Sequence, residues 1–262
     1  MNPKRTIALW AILIVLFVFF YQFFGKSPGA APPAPAAATD WAPMIIKWLP
    51  GIVIFVALLL FQWFRRRKYA PANEALRLHT QGHYVQALEL FEKYRAAHPK
   101  DVVGAFNTGS TRLLLWRLEA ARLDFEATQS LVPRKAGELG AMLAEHLALT
   151  HALLGNVSEA RRLIAEVPVE QGDLSRFNLV LAIVLARGGD WSAAREKLAN
   201  FEVKQMRGLG AFARTLDALC IEQLTGERRH VDRVALYGAS APDELRKHWP
   251  EFVAFVERAP AW

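Results

Sequence analysis

The stretch GHYVQALELFEKYRAAHP, residues 82–99, recurs in altered form as WRLEAARLDFEATQSLVP, residues 116–133. Both copies carry alanine, phenylalanine and proline at the same three places. Two further stretches, residues 155–167 and 189–201, each carry an alanine followed four residues later by a large apolar residue. These two stretches are also 34 residues apart. A period of about 34 residues is typical of proteins built from repeated helix pairs. It therefore predicts an all-α fold.

The residue types inside the repeat explain how such helices pack. A small residue recurs in the second helix of each predicted pair, at Ala87, Ala121, Ala160 and Ala194. Small residues let two helix backbones approach closely, and the bulky residue four positions later fills the contact with the next pair. Three of these second helices follow a glycine, which adopts a left-handed turn conformation at low cost. Trp116 stands at the equivalent place in the second repeat, which predicts either a distorted turn or an indole used for packing.

These spacings resemble the tetratricopeptide repeat family, most closely from Asn107 to Glu126. The resemblance implies helix pairs stacked into an α-solenoid. The implied elements are repeats at about 68–101, 102–135, 141–174 and 175–208, a degenerate repeat at 209–240 and a capping helix at 243–258. We expect Asp243 to cap that last helix and Pro250 to bend or split it. Five extra residues between the second and third repeats predict a longer helix or a change of twist there.

Two apolar runs precede the repeats. Residues 6–24 carry no charged side chain, and residues 44–64 carry only Lys47. Each run is close to the roughly 20 residues that a helix needs to cross a bilayer. The Pro/Ala-rich loop 25–43 between them cannot build a core. The sequence therefore predicts a transmembrane helical hairpin.

Positive charge is concentrated at the N-terminus. Residues 1–68 contain eight cationic side chains against one anionic side chain, Asp40, which leaves 24 basic and 24 acidic residues in the rest of the chain. We predict a membrane anchor at 1–68 and a neutral repeat domain at 69–262, with no nucleic-acid partner. Because most of these cations flank the two runs, the positive-inside rule places both termini and the repeat domain in the cytoplasm. The architecture indicates an integral protein of a bacterial inner membrane.

A cleaved signal peptide is the competing interpretation of the first apolar run. Ala36, Ala37 and Ala38 resemble a small-residue cleavage site. The run is longer than the apolar core of a signal peptide, and these alanines lie far beyond it. In either case the second span leads the chain into the cytoplasm.

Motifs for catalysis or metal binding are missing from the sequence. His79 and His83 flank a predicted helix end, and His146 and His151 are five residues apart, which does not place them on one helix face. The single cysteine, Cys220, is expected to be a small buried residue. We predict that the chain is not an enzyme and binds no metal and no cofactor.

The resemblance also implies a binding groove along the first helices of the repeats, which suits an extended or helical protein segment. The predicted lining residues are Phe106, Asn107, Ser110, Glu145, His146, Leu149, Arg176, Leu179, Ile183 and Arg187. We therefore predict a membrane-anchored scaffold that recruits a protein or peptide partner through this groove. The alternative is an accessory subunit of a membrane complex, with the transmembrane hairpin as its interface.

Overall fold

The computed structural model describes residues 42–132, 137–167, 174–202, 207–238 and 241–260, without the side chains of 42–53, 64–68, 174 and 207. Throughout these residues the regular structure is helical and no strand occurs. The all-α prediction is confirmed. The chain divides into two compact units, residues 1–62 and 63–262.

Twelve α-helices lie within the described residues. They are α1 (Ala42–Thr80), α2 (Tyr84–Ala97), α3 (Val102–Leu114), α4 (Leu118–Leu131), α5 (Glu138–Leu153), α6 (Val157–Ala165), α7 (Asn178–Arg187), α8 (Trp191–Ala199), α9 (Gly210–Thr225), α10 (Arg233–Tyr237), α11 (Asp243–His248) and α12 (Pro250–Arg258). Short 3₁₀ turns, Leu174–Phe177 and Arg207–Leu209, precede α7 and α9. Consecutive helices pack on one another from α2 to α9, and α3, α5, α7 and α9 also contact one another in order. This is the packing of a helical-repeat array.

Four tight turns between paired helices share one backbone arrangement. Gly82, Gly155 and Gly189 have φ angles of 83°, 86° and 80°. At each of them the turn amide donates to the carbonyl three residues before it, and the next amide donates five residues back. Trp116 has a φ of 59° and forms the same two hydrogen bonds. The turn at Trp116 is therefore not distorted, and of the two alternatives the packing role is correct.

The small residues of the repeat lie where helices meet. Ala87, Ala121, Ala160 and Ala194 have no exposed surface. The turn residues are 34 residues apart from Gly82 to Trp116 and from Gly155 to Gly189, and 39 apart from Trp116 to Gly155. Part of this insertion lengthens α5 to 16 residues, compared with 13 in α3.

The C-terminal part of the chain returns to the second repeat. The Trp116 indole donates from Nε1 to the carbonyl of Leu236 at 3.2 Å, and its ring centroid lies 5.5 Å from that of Phe212. The amide of Glu119 donates to Oε2 of Glu244 at 2.8 Å. The array is therefore not an open stack, because its end contacts a repeat near its beginning.

The predicted capping helix is divided into α11 and α12 at Trp249. Pro250 is the first residue of α12, a position at which its missing amide hydrogen costs nothing. The prediction that Asp243 caps α11 is wrong. Pro242 holds the N-cap position, and Asp243 is the first helical residue and accepts no capping hydrogen bond.

The N-terminal predictions are covered only in part. The predicted first span, 6–24, lies outside the described residues, as does the loop except for its last two residues. The predicted second span, 44–64, falls within α1. Among the residues described, no helix combines the length and the apolar character needed to cross a membrane.

Candidate functional site

The ten predicted groove residues do not form an open surface. Five of them are buried: Phe106, Glu145, Leu149, Leu179 and Ile183. The other five are only partly exposed: Asn107, Ser110, His146, Arg176 and Arg187. Half of the predicted lining therefore belongs to the core and is not accessible to a partner in this fold.

Two of the predicted polar residues, Glu145 and Arg176, meet where α5 faces the 3₁₀ turn before α7. Arg176 donates from Nη2 to Oε1 of Glu138 at 2.7 Å, and its Nε lies 3.3 Å from Oε2 of Glu145. His146 follows Glu145 on α5, and its ring lies edge-on to that of Phe106 with centroids 4.9 Å apart.

Glu145 has an altered proton affinity. Its side chain is 5% exposed, and its Oε1 has no hydrogen-bond partner in the part of the chain that the structure describes. Burial raises the pKa of Glu145 to about 7, although Arg176 acts in the opposite direction. Desolvation outweighs the ion pair because the single contact with Arg176 leaves one carboxylate oxygen unsatisfied. Burial therefore disfavours the charged form of this carboxyl in the folded chain.

Burial disfavours the charged form of two histidines in the array. His146 donates from Nδ1 to the carbonyl of Met142 at 2.9 Å, and burial lowers the pKa of His146 to about 4. The Thr111 hydroxyl donates to the carbonyl of Asn107 at 2.7 Å, so the Nδ1 of His79, 2.9 Å from that hydroxyl, is assigned as a donor. Burial also lowers the pKa of His79. At neutral pH the His146 ring then presents an unprotonated Nε2, which is a hydrogen-bond acceptor and not an acid.

Arg187, predicted to contact a partner, is bound to its own chain. Its Nη2 donates to the carbonyls of Leu153 at 2.6 Å and His248 at 3.0 Å, and its guanidinium carbon lies 4.3 Å from the centroid of the Trp249 ring. Burial lowers the pKa of Arg187 to about 10, so it stays charged at neutral pH. Arg187 therefore joins the third and fourth repeats to the C-terminal helices.

The structure also contains an open cleft that sequence reasoning missed. It lies between α8 and α9 and has a volume of about 740 Å³. Its lining mixes apolar and charged side chains, the apolar ones including Leu198 and Phe201 on one side and Ala213 and Ala218 from α9 on the other. We call it the α8–α9 cleft. The repeat spacing gives no signal for it, because it forms where the regular period ends.

Comparisons with known proteins do not add to this geometry: no protein-family model matches the chain, and no curated protein is significantly similar to it. The described residues include no group of three or more side chains arranged to hold a metal ion. The absence of enzymatic activity and of a cofactor stays a prediction.

Substitution of Glu145 by glutamine is expected to change how stability depends on pH. A carboxyl whose pKa is higher in the folded chain stabilises the fold when it is protonated, fully below about pH 4.5, and this contribution is lost as the pH rises through about 7. Above pH 7.5, Glu145→Gln should therefore raise the free energy of unfolding by about 2 to 3 kcal/mol. Urea unfolding followed by circular dichroism between pH 4 and pH 8.5 measures the difference.

Glu138→Gln is the matched control, because Glu138 contacts the same arginine from an exposed position. The Arg176 hydrogen bond lowers the pKa of Glu138, so this substitution should lower stability above pH 4.5, by less than about 1 kcal/mol after solvent screening. Stability of Glu145→Gln equal to that of the parent at pH 8 would show that the buried carboxyl carries no penalty.

Proposed function

We propose that this chain is a membrane-anchored scaffold whose helical array, of the tetratricopeptide type, holds a partner protein at the membrane surface. The observation that carries the anchor is the surface of α1. From Ile54 to Trp63 every residue is exposed, and the large apolar side chains among them are between 45% and 63% exposed. Consecutive residues cover all faces of a helix and only Gln62 in this stretch is polar, so the stretch is apolar on nearly every side. Such a helix is stable when lipid or other apolar helices surround it, not water.

The repeated helix pairs support the scaffold part of the proposal. Arrays of this kind present extended surfaces to partner proteins. The balanced charge of residues 69–262 fits a protein partner better than a nucleic acid. We place the array in the cytoplasm of a bacterial inner membrane, on the charge distribution around the apolar runs.

A topology reporter fused after Trp262 tests the anchor. Alkaline phosphatase, which is active only outside the cytoplasm, should be inactive on the parent chain. The substitutions Ile54→Lys and Val56→Lys together should prevent insertion of the second span, since each lysine near a span centre costs about 3 kcal/mol, and the reporter should then become active. Leu76→Lys is the matched control, because Leu76 is an exposed apolar residue of α1 beyond the predicted span. Phosphatase activity on the parent chain would contradict the proposed topology.

Proximity labelling by a biotin ligase fused after Trp262 tests the scaffold. The comparison chain keeps residues 1–68 and replaces the array with an unrelated soluble domain. Proteins labelled only when the array is present are the expected result. If both chains label the same proteins, the N-terminal hairpin is the interface and the alternative, an accessory subunit of a membrane complex, is correct.

A further inference from the structure

The α8–α9 cleft has three arginines among its lining residues, and we call these arginines the rim. Arg195 lies on α8, Arg214 on α9 and Arg229 in the segment that follows α9, and all three line the cleft. Among the described residues of the lining, two are carboxylates, Glu196 and Asp217. The described lining therefore carries a surplus of one positive charge beside its apolar side chains.

The pairing of these arginines shows where the surplus lies. Arg195 Nε lies 3.3 Å from Oδ1 of Asp217, so each neutralises the other. Arg229 pairs at 3.2 Å with Glu227, which lies outside the cleft lining. Arg214 is exposed and forms no ion pair with any residue that the structure describes. Its charge is available to an anionic ligand.

We propose that the α8–α9 cleft binds an acidic amphipathic helix of a partner protein. Apolar side chains of that helix would cover Phe201, Leu198 and the half-exposed Leu224. Its carboxylates would pair with Arg214 and, in place of Glu227, with Arg229. A volume of about 740 Å³ is sufficient to receive several side chains from one helix face. Helical lining on both sides favours a helix, because the described residues around the cleft offer no strand edge for an extended peptide.

This proposal rests on the scaffold function and names the chemistry of its partner. The test uses the full chain in nanodiscs of neutral phosphatidylcholine. The probe is a fluorescein-labelled peptide of about four helical turns, with leucines along one face and glutamates on the flanks. A second peptide carries lysine in place of every glutamate. Fluorescence polarisation should show the acidic peptide binding about tenfold more tightly than the basic one, with the difference shrinking at high salt.

Arg214→Glu should weaken binding of the acidic peptide about tenfold and strengthen binding of the basic peptide, and Arg229→Glu should act in the same direction. Arg161→Glu is the matched control. Arg161 occupies the place of Arg195 in the preceding repeat, is exposed on α6 and does not line the cleft, so its substitution should leave both affinities unchanged.

Unchanged affinity of the acidic peptide for Arg214→Glu would overturn the proposal, as would no binding by the parent chain. Binding of the parent chain to phosphatidylglycerol vesicles that is lost with Arg214→Glu, without peptide binding, would assign the rim to lipid and would also overturn it. The scaffold function is judged separately. Array-dependent proximity labelling that survives Arg214→Glu would leave the scaffold standing while rejecting this cleft.

Discussion

Replacing Trp116 with glycine is expected to lower the free energy of unfolding by about 3 kcal/mol, because the loss of the indole outweighs the relief of backbone strain. The buried indole packs on Phe212 and donates to the carbonyl of Leu236, and its removal costs about 3 to 5 kcal/mol. Glycine recovers about 1 kcal/mol, because Trp116 holds a left-handed backbone conformation that disfavours a side chain. Trp116→Ala keeps that strain and should be less stable than Trp116→Gly by about 1 kcal/mol.

Urea unfolding of the full chain in detergent, followed by circular dichroism, gives the two values. Gly82→Ala is the matched control at an equivalent turn, where an added methyl group would meet no atom within 4 Å. It should cost only the backbone strain, about 1 kcal/mol. If Trp116→Gly were as stable as the parent, the contact between the second repeat and the C-terminal segment would contribute nothing to stability.

Asp124→Ala is expected to lower the free energy of unfolding by a similar amount, about 3 kcal/mol, because it breaks a buried charge network. The side chain of Asp124 is 5% exposed and lies between two guanidinium groups, from Arg95 on α2 and Arg112 on α3. Arg112 lies 2.8 Å from Oδ2 of Asp124 and also pairs with Glu92 at 2.7 Å. Removing the carboxylate leaves Arg95 without this ion-pair partner and leaves Arg112 with Glu92 alone, in a partly buried site. The loss should therefore exceed that of a surface pair.

Two further variants separate charge from shape. Asp124→Asn keeps the volume and one acceptor oxygen, and it should lose about half as much as Asp124→Ala. Glu166→Ala removes a carboxylate from an exposed pair with Arg162, and it should cost far less than Asp124→Ala because solvent screens that pair. Thermal unfolding of the three variants ranks them. Equal losses for Asp124→Ala and Glu166→Ala would show that Asp124 is not a cross-helix bridge.

The helices and their pairing could be predicted from the sequence because both depend on residues close together in the chain. Ala121 lies four residues before Phe125 and five after Trp116, and this spacing determines a helix, its tight contact and its preceding turn. Gly109 shows the limit of local reasoning: a methyl group there would lie 2.8 Å from the Phe125 ring. The sequence marks the position as small, but only the structure shows what it touches.

The groove could not be predicted in the same way, because it depends on what covers the inner side of the array. Arg187 and the carbonyl of His248 are 61 residues apart, and Trp116 and the carbonyl of Leu236 are 120 apart. Periodicity carries no information about contacts at these separations. The repeat phase alone assigned the first helices to a groove. It therefore predicted that residues such as Leu149 and Leu179 lie on the surface, whereas the fold buries them completely.

The contact between Glu119 and Glu244 spans 125 residues, and it changes how the array should respond to stress. In a linear repeat protein each unit interacts only with its neighbours, so the ends fray first and units can be removed singly. Here the last helices and the second repeat depend on each other, so melting is expected to be a single cooperative transition for residues 84–260. The same long separation raises the contact order and slows folding. Deleting one repeat unit should therefore unfold the chain, whereas a linear array would only become shorter.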